Sequence, residues 1–126
     1  MIFLEKLRQD LFDIRITKYF DKHIYMLHKP EKYKTNKYIE YELIRNTEED
    51  FAGNKNLTED NTIQIDIISN VLPVDEFEVV KSVMKEKGYT YINSNTSYEN
   101  DVQLYMYSSR WKIKKILIRG GNDARR

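Results

Sequence analysis

Thr62-Ile-Gln-Ile-Asp-Ile-Ile-Ser69, with the segment from Pro73 to Gly88 that follows it, is the stretch whose reading decides the fold. Ile63, Ile65 and Ile67 alternate with Gln64 and Asp66, a two-residue period that puts three β-branched side chains on one face of a strand. Such a face fits a pleated surface packed against a layer of helices. Pro73 stops the strand, and Asp75 with Glu78 three residues later has capping-box spacing. Phe77, Val80 and Met84, with Val83 beside them, form the apolar stripe of a helix. Asp75, Glu76 and Glu78 stand early in it and Lys81, Lys85 and Lys87 late, which complements the helix dipole. Gly88 is placed for the left-handed residue that closes such a helix.

Upstream, Leu4, Leu7, Leu11 and Ile14 recur at three- and four-residue steps, widened by Phe3 and Phe12, and predict an opening helix that fades between Ile14 and Tyr19. Ile24-Tyr-Met-Leu27 suggests a short strand, and Pro30 to Asn36 a loop. From Tyr38 to Arg45 a strand carries Ile39, Tyr41 and Leu43 on one face and Glu40 and Glu42 on the other. Asn46 to Asn61 has no sustained period and is rich in Glu, Asn, Thr and Gly, so it reads as a long loop, mobile or functional. Downstream, Tyr89 to Asn95 and Val102 to Leu117 flank a polar turn around Ser97 to Asn100 and pair as a hairpin. The tail from Gly120 is expected to fray. The expected class is α+β: one domain over residues 1–126, a mostly antiparallel sheet of four to five strands, and two helices packed on one face.

At 126 residues the chain buries enough surface to fold without disulfides or metal. It has no cysteine, which removes thiol catalysis and thiolate metal sites. No apolar run is long enough to span a membrane, and the start, Met1-Ile-Phe-Leu-Glu-Lys6, lacks the layout of a secretion signal. The 21 basic and 20 acidic side chains nearly cancel, which argues against a globally basic nucleic-acid binder. Their distribution is uneven. Residues 40–60 carry Glu40, Glu42, Glu48, Glu49, Asp50, Glu59 and Asp60 against Arg45 and Lys55. Residues 110–126 carry Arg110, Lys112, Lys114, Lys115, Arg119, Arg125 and Arg126 against Asp123. Opposite patches of this kind can steer subunits together over about a Debye length; two ordinary solvated segments that differ in sign are the equal alternative.

The residues that carry catalysis elsewhere form no constellation here. His23 and His28 are five apart, which is not the helical spacing of a zinc site and sends them to opposite faces of a strand. Gly120-Gly121 precedes no helix, and no serine sits in a nucleophile elbow. Glu40 and Glu42 share an exposed strand face and serve solubility. Asp66 reads as a structural hydrogen-bond acceptor. Five of the ten tyrosines lie between Tyr89 and Tyr107; sheet propensity with partial burial is one account, but a chain this small should not expose so many rings together, which favours an association surface. Lys87-Gly88-Tyr89-Thr90-Tyr91-Ile92 resembles the start of the aromatic RNA-stacking motif of RRM domains, with Tyr89 and Tyr91 as stacking rings. Thr90 and Ser94 depart from that motif, and Gly88 already ends a helix.

In order along the chain, several segments resemble siphophage tail-terminator and tail-completion proteins. These are the opening helix, the strand Tyr38-Ile-Glu-Tyr-Glu42, the core Ile63-Gln-Ile-Asp-Ile67 leading into the second helix, and a closing hairpin with Tyr98-Glu-Asn-Asp101, Leu104-Tyr105 and Arg110-Trp111. Ile68 stands where that family often has an aromatic residue, and the basic C-terminal end runs on past Trp111. The resemblance implies a structural virion protein with no catalytic centre, cofactor or metal. It implies a ring, typically hexameric, at the head-proximal end of the tail tube, assembled in the host cytoplasm. That ring ends tube polymerisation and joins the tail to the head connector. Its partners are further copies of itself, the major tail tube protein and the head–tail connector proteins, with no membrane and no specific nucleic acid, although DNA passes through. A head–tail adaptor or stopper is the neighbouring reading. A closed ring uses two different faces of each subunit. The expected assembly residues are therefore Glu48, Glu49, Asp50, Glu59 and Asp60 on one patch and Arg110, Trp111, Lys112, Lys114, Lys115 and Arg119 on the other.

Overall fold

The computed structural model describes residues 2–50 and 56–118. Helices α1 (Ile2–Leu11) and α2 (Ile14–Phe20) lead into strand β1 (Ile24–Met26). Strands β2 (Lys37–Asp50) and β3 (Asn56–Ser69), helix α3 (Val74–Glu86), and strands β4 (Thr90–Glu99) and β5 (Leu104–Ile118) follow. The strands make one sheet in the order β1-β2-β3-β5-β4. Only β1–β2 is parallel, so the fold is α+β with a mostly antiparallel sheet, as the patterning predicts.

The helices share one face of the sheet because the apolar residues do. Ile63, Ile65 and Ile67 of β3 are buried together with Ile39 and Tyr41 of β2 and Trp111 of β5. Above them lie Leu7 and Leu11 of α1, Ile16 and Phe20 of α2, and Phe77, Val80, Val83 and Met84 of α3. Burying a side chain of this size contributes roughly 1.5–3 kcal/mol. No described helix is long and apolar enough to cross a membrane.

Five expectations are corrected. The opening helix is two helices, so three helices rather than two cover the sheet. Asp13 accepts from the Arg15 backbone N–H at 2.9 Å and caps a new start, which turns Ile14 outward to 72% exposure instead of into the stripe. The capping box at Asp75 is absent, since the N-cap of α3 is Pro73, two residues earlier, and has no side-chain cap. Asp75 and Glu76 still occupy its first turn, and Gly88 has the expected positive φ of 101°. The closing hairpin turns later than predicted: Ser97, Tyr98 and Glu99 are strand, and Val102 lies in the turn, where Gln103 N–H donates to the Glu99 carbonyl at 2.8 Å. Residues 46–50 and 56–61 are not loop. They continue β2 and β3 as a long hairpin, leaving only the segment 51–55 outside the described residues. Tyr89 and Tyr91, finally, are not free rings, for reasons set out below.

The lengthened strands form an arm. Among the described side chains no apolar core residue lies beyond Leu43, Ile63 and Ile113 on β2, β3 or β5, where only the polar Thr58 and Asn61 are buried, yet the three strands stay paired as far as Asp50, Asn56 and Ile118. At about 3.4 Å per residue this three-stranded sheet runs on for roughly 20 Å. Residues 119–126, with the expected frayed tail, lie outside the described residues.

Candidate assembly surface

The charged segments that the sequence sets far apart are neighbours in the fold. Cross-strand register places Glu59 opposite Lys115, Asp60 opposite Lys114, Thr62 opposite Lys112 and Gln64 opposite Arg110. Lys114 Nζ stands 3.9 Å from Asp60 Oδ1, and Arg110 Nε donates to Gln64 Oε1 at 3.0 Å. The acidic and basic patches therefore belong to adjacent strands of one arm, and part of their attraction is used within the subunit. A directly opposed pair of unlike charges contributes a few tenths of a kcal/mol to 1 kcal/mol, as an order of magnitude.

The arm also holds a like-charge pair. Glu48 of β2 lies directly across from Glu59 of β3, which is unfavourable. Asn46 Nδ2 relieves Glu59 by donating to its Oε2 at 2.9 Å, and donates to Asn61 Oδ1 at 2.6 Å. Lys115 stands on the other side of Glu59, so Glu48 is the member left facing outward from the sheet.

Arm strands have two kinds of free surface. The face opposite the helices carries Glu40, Glu42, Arg45 and Glu49 of β2, Asp60, Gln64 and Asp66 of β3, and Arg110, Lys112 and Lys114 of β5, so it passes from mainly acidic on β2 and β3 to basic on β5. Asp66 accepts from Ser108 Oγ and from Gln64 Nε2, the structural acceptor role its position suggests. Toward the other end this face becomes apolar, with Tyr38, Ile68, Leu104 and Met106 lining a cleft of about 330 Å³. The second kind of surface is strand edge. β1 pairs with β2 only at Ile39, Glu40 and Tyr41, and β4 pairs with β5 only as far as Lys112. Among the described residues, no strand pairs with β2 on its outer side over 44–50 or with β5 over 114–118.

Several expected assembly residues fall on these surfaces and others do not. Glu48, Glu49, Lys112, Lys114 and Lys115 are exposed or half-exposed on the arm. Glu59 and Asp60 are half-buried on the central strand, and Arg110 is exposed. The backbone of Asp50 ends β2, while Arg119 lies outside the described residues. Trp111 is corrected: it is fully buried, with its indole N–H donating to Ser109 Oγ at 2.9 Å, and belongs to the core. Its place on the strand follows from period two, since Lys112 and Lys114 point one way and Trp111 and Ile113 the other.

The tyrosine strand is corrected in the same sense. Tyr89 is 3% exposed, and its hydroxyl donates to Asp10 Oδ2 at 2.8 Å. Burial, reinforced by the Asp10 carboxylate, holds its phenol well above the usual tyrosine range. Tyr91 packs edge-on to Trp111 at 5.1 Å, and Tyr107 stacks on Phe77 at 4.1 Å. Neither Tyr89 nor Tyr91 offers a free face to a base, and of the tyrosines between 89 and 107 Tyr98 and Tyr105, 4.7 Å apart, remain as a surface pair. His23 and His28 flank β1 without converging, and no cluster of three or more metal-binding side chains occurs among the described residues.

The same arrangement of strands and helices occurs in a solved virion. A chain of the structure described as the virion of a native gene transfer agent particle superposes with a TM-score of 0.59. The match covers 89% of this chain and 90% of that one at 9% identity, so what is shared is the fold. No protein-family model and no curated protein sequence matches the chain.

Proposed function

We propose that this chain is a non-enzymatic structural virion protein that forms a ring at the head-proximal end of a phage tail tube. There it ends tube polymerisation and joins the tail to the head connector. The observation that carries the reading is the fold correspondence with a virion chain along nine-tenths of both molecules. The sequence segments that resemble tail terminators fall on the β2, β3, α3 and β4–β5 elements of that shared fold, which supports the terminator role. An arm with one acidic and one basic side supports a subunit that contacts two neighbours through different faces. A head–tail adaptor or stopper is the second reading, because the virion likeness fits a joining ring equally well.

The test is to mix the purified chain with isolated tail tubes, measure mass by light scattering and image the mixture by negative stain. A cap at one end of the tubes, with further tube growth blocked, is the expected result. A ring that ignores tubes but docks on head connectors moves the assignment to the adaptor. A monomer that ignores both and binds RNA overturns it.

A further inference from the structure

We propose that the outer edge of β4 over residues 93–99 takes an added strand from a protein of the adjoining ring. The segment that fits is extended and largely uncharged, with an apolar and a basic side chain toward the Glu99 end. The inference rests on the ring reading and names the surface that meets the next component.

The sheet ends in two unlike edges. β1 has three residues, and His23 and Leu27 on either side of it use their backbone groups on β2. The intervening Ile24 and Met26 turn theirs outward, where Ile24 N–H donates to the Lys22 carbonyl at 2.9 Å and the Met26 carbonyl accepts from His28 N–H at 2.8 Å. Tight turns thus blunt that edge. β4 is the opposite case. It has ten residues, no proline and no charge before Glu99, so the usual guards of an edge strand are missing. A bulge between Tyr91 and Asn93 turns its first part away and leaves roughly 20 Å of straight edge beyond. In that stretch every residue but Ser94 is exposed, and among the described residues no strand lies outside it.

The surroundings of the edge set the chemistry of the occupant. Ser97 and Glu99 stand opposite Met106 and Leu104 on the face away from the helices. A strand added beside β4 lies two strand spacings, about 9–10 Å, from Met106 and Leu104. A long apolar side chain on it reaches the cleft that these residues line with Val102 and Ile68. Ile68 is buried there without belonging to the main core, and Val102 is exposed. Glu99 and Asp101 are exposed at this end, while Arg110 lies opposite Asn93 at the other. A cation on the added strand therefore belongs beside Glu99 and not beside Asn93.

Among its described strands a second copy supplies no such segment. Its β1 is blunted. Its arm edges carry Arg45, Glu48 and Glu49 on β2 or Lys114 and Lys115 on β5, which find no opposite charge on β4 before Glu99. β4 against β4 is a two-fold contact, whereas a ring closes through two different faces. Main-chain bonding to an added strand, with a side-chain pocket beside it, is left as the use of this edge.

The full chain is followed by hydrogen–deuterium exchange alone, after self-assembly, and docked on isolated tail tubes or on head connectors. The outward amides over 93–99 are expected to exchange fast in the first two states and about ten-fold or more slowly when docked. Successive residues of β4 point their N–H groups alternately toward β5 and away from it. Of Asn95→Pro and Thr96→Pro, made separately, one therefore removes only an outward N–H and keeps the fold by circular dichroism. That variant is expected to self-associate normally and to dock about ten-fold more weakly. Unchanged exchange in chains that cap tubes or connectors, or undiminished docking by that variant, overturns the proposal and leaves the virion role intact. Protection already present after self-assembly overturns it too, and gives the edge to a second copy. A chain that docks on neither tubes nor connectors overturns the ring reading and the proposal with it.

Discussion

Asp13 divides into two helices what residue spacing alone makes one. Its carboxylate accepts the Arg15 backbone N–H and the Arg15 guanidinium, each at 2.9 Å, and Lys87 Nζ lies 3.4 Å away. The side-chain bonds from Arg15 are the largest reason its carboxyl is held far below the usual carboxylate range. Arg15 also bridges to Glu86 at 2.9 Å, which ties α2 to the end of α3. Losing the cap costs about 1 kcal/mol, within a range of roughly 0.5–2. Asp13→Ala is therefore expected to lower the unfolding free energy by about that amount in urea titrations. A lowered folded pKa means that this stability is fully present above the unfolded-chain value of about 4 and is lost as pH falls toward the folded value. Asp13→Asn keeps a capping oxygen and should flatten the acid limb of the stability curve below about pH 4. An unchanged acid limb would assign that limb to other carboxylates. Nothing in the one-dimensional pattern marks Asp13 as a boundary, because Leu11 and Ile14 are at helical spacing and only the hydrogen bonds distinguish a cap from an exposed acid.

At the scale of elements, reading from sequence worked where a buried face imposes its period. β3 and α3 were legible because Ile63, Ile65 and Ile67, and Phe77, Val80 and Met84, meet the same core. The outer half of the β2–β3 hairpin was not legible. Its buried side chains, Thr58 and Asn61, are polar, so no apolar alternation marks it, and its pairing is held by backbone bonds and by pairs such as Asn46–Asn61. The helix-to-strand junction at Gly88 shows the opposite case, in which one residue announces its geometry. A Cβ there would meet Ile113 Cδ1 at an ordinary 3.8 Å, so space is no obstacle. The φ of 101° is the obstacle. Gly88→Ala is expected to destabilise by about 1–2 kcal/mol, visible as a lower urea midpoint at unchanged slope. A neutral result would mean that the α3–β4 junction relaxes without cost.

For the whole molecule, the division between a packed domain and an arm leads to a separable prediction. Replacing residues 47–60 by Asn-Gly joins the opposed pair Asn46 and Asn61 through a two-residue hairpin turn. The core residues lie outside that replacement, so cooperative unfolding and the helical circular dichroism should persist while self-association by light scattering disappears. Loss of folding would instead make the arm part of the domain's stability. The amino-acid order by itself determined the class, the central strand, α3 with its glycine stop, and the presence of two oppositely charged segments, because each is written in local spacing or composition. Only the tertiary structure decided that those segments are neighbouring strands, that Trp111, Tyr89 and Tyr91 face inward, and that β2 over 44–50 and β5 over 114–118 have no outer partner among the described residues. Each of these depends on which strands pair and in what register, as with Tyr91 opposite Trp111 and Glu59 opposite Lys115, and strand register carries no local signal where side chains meet water.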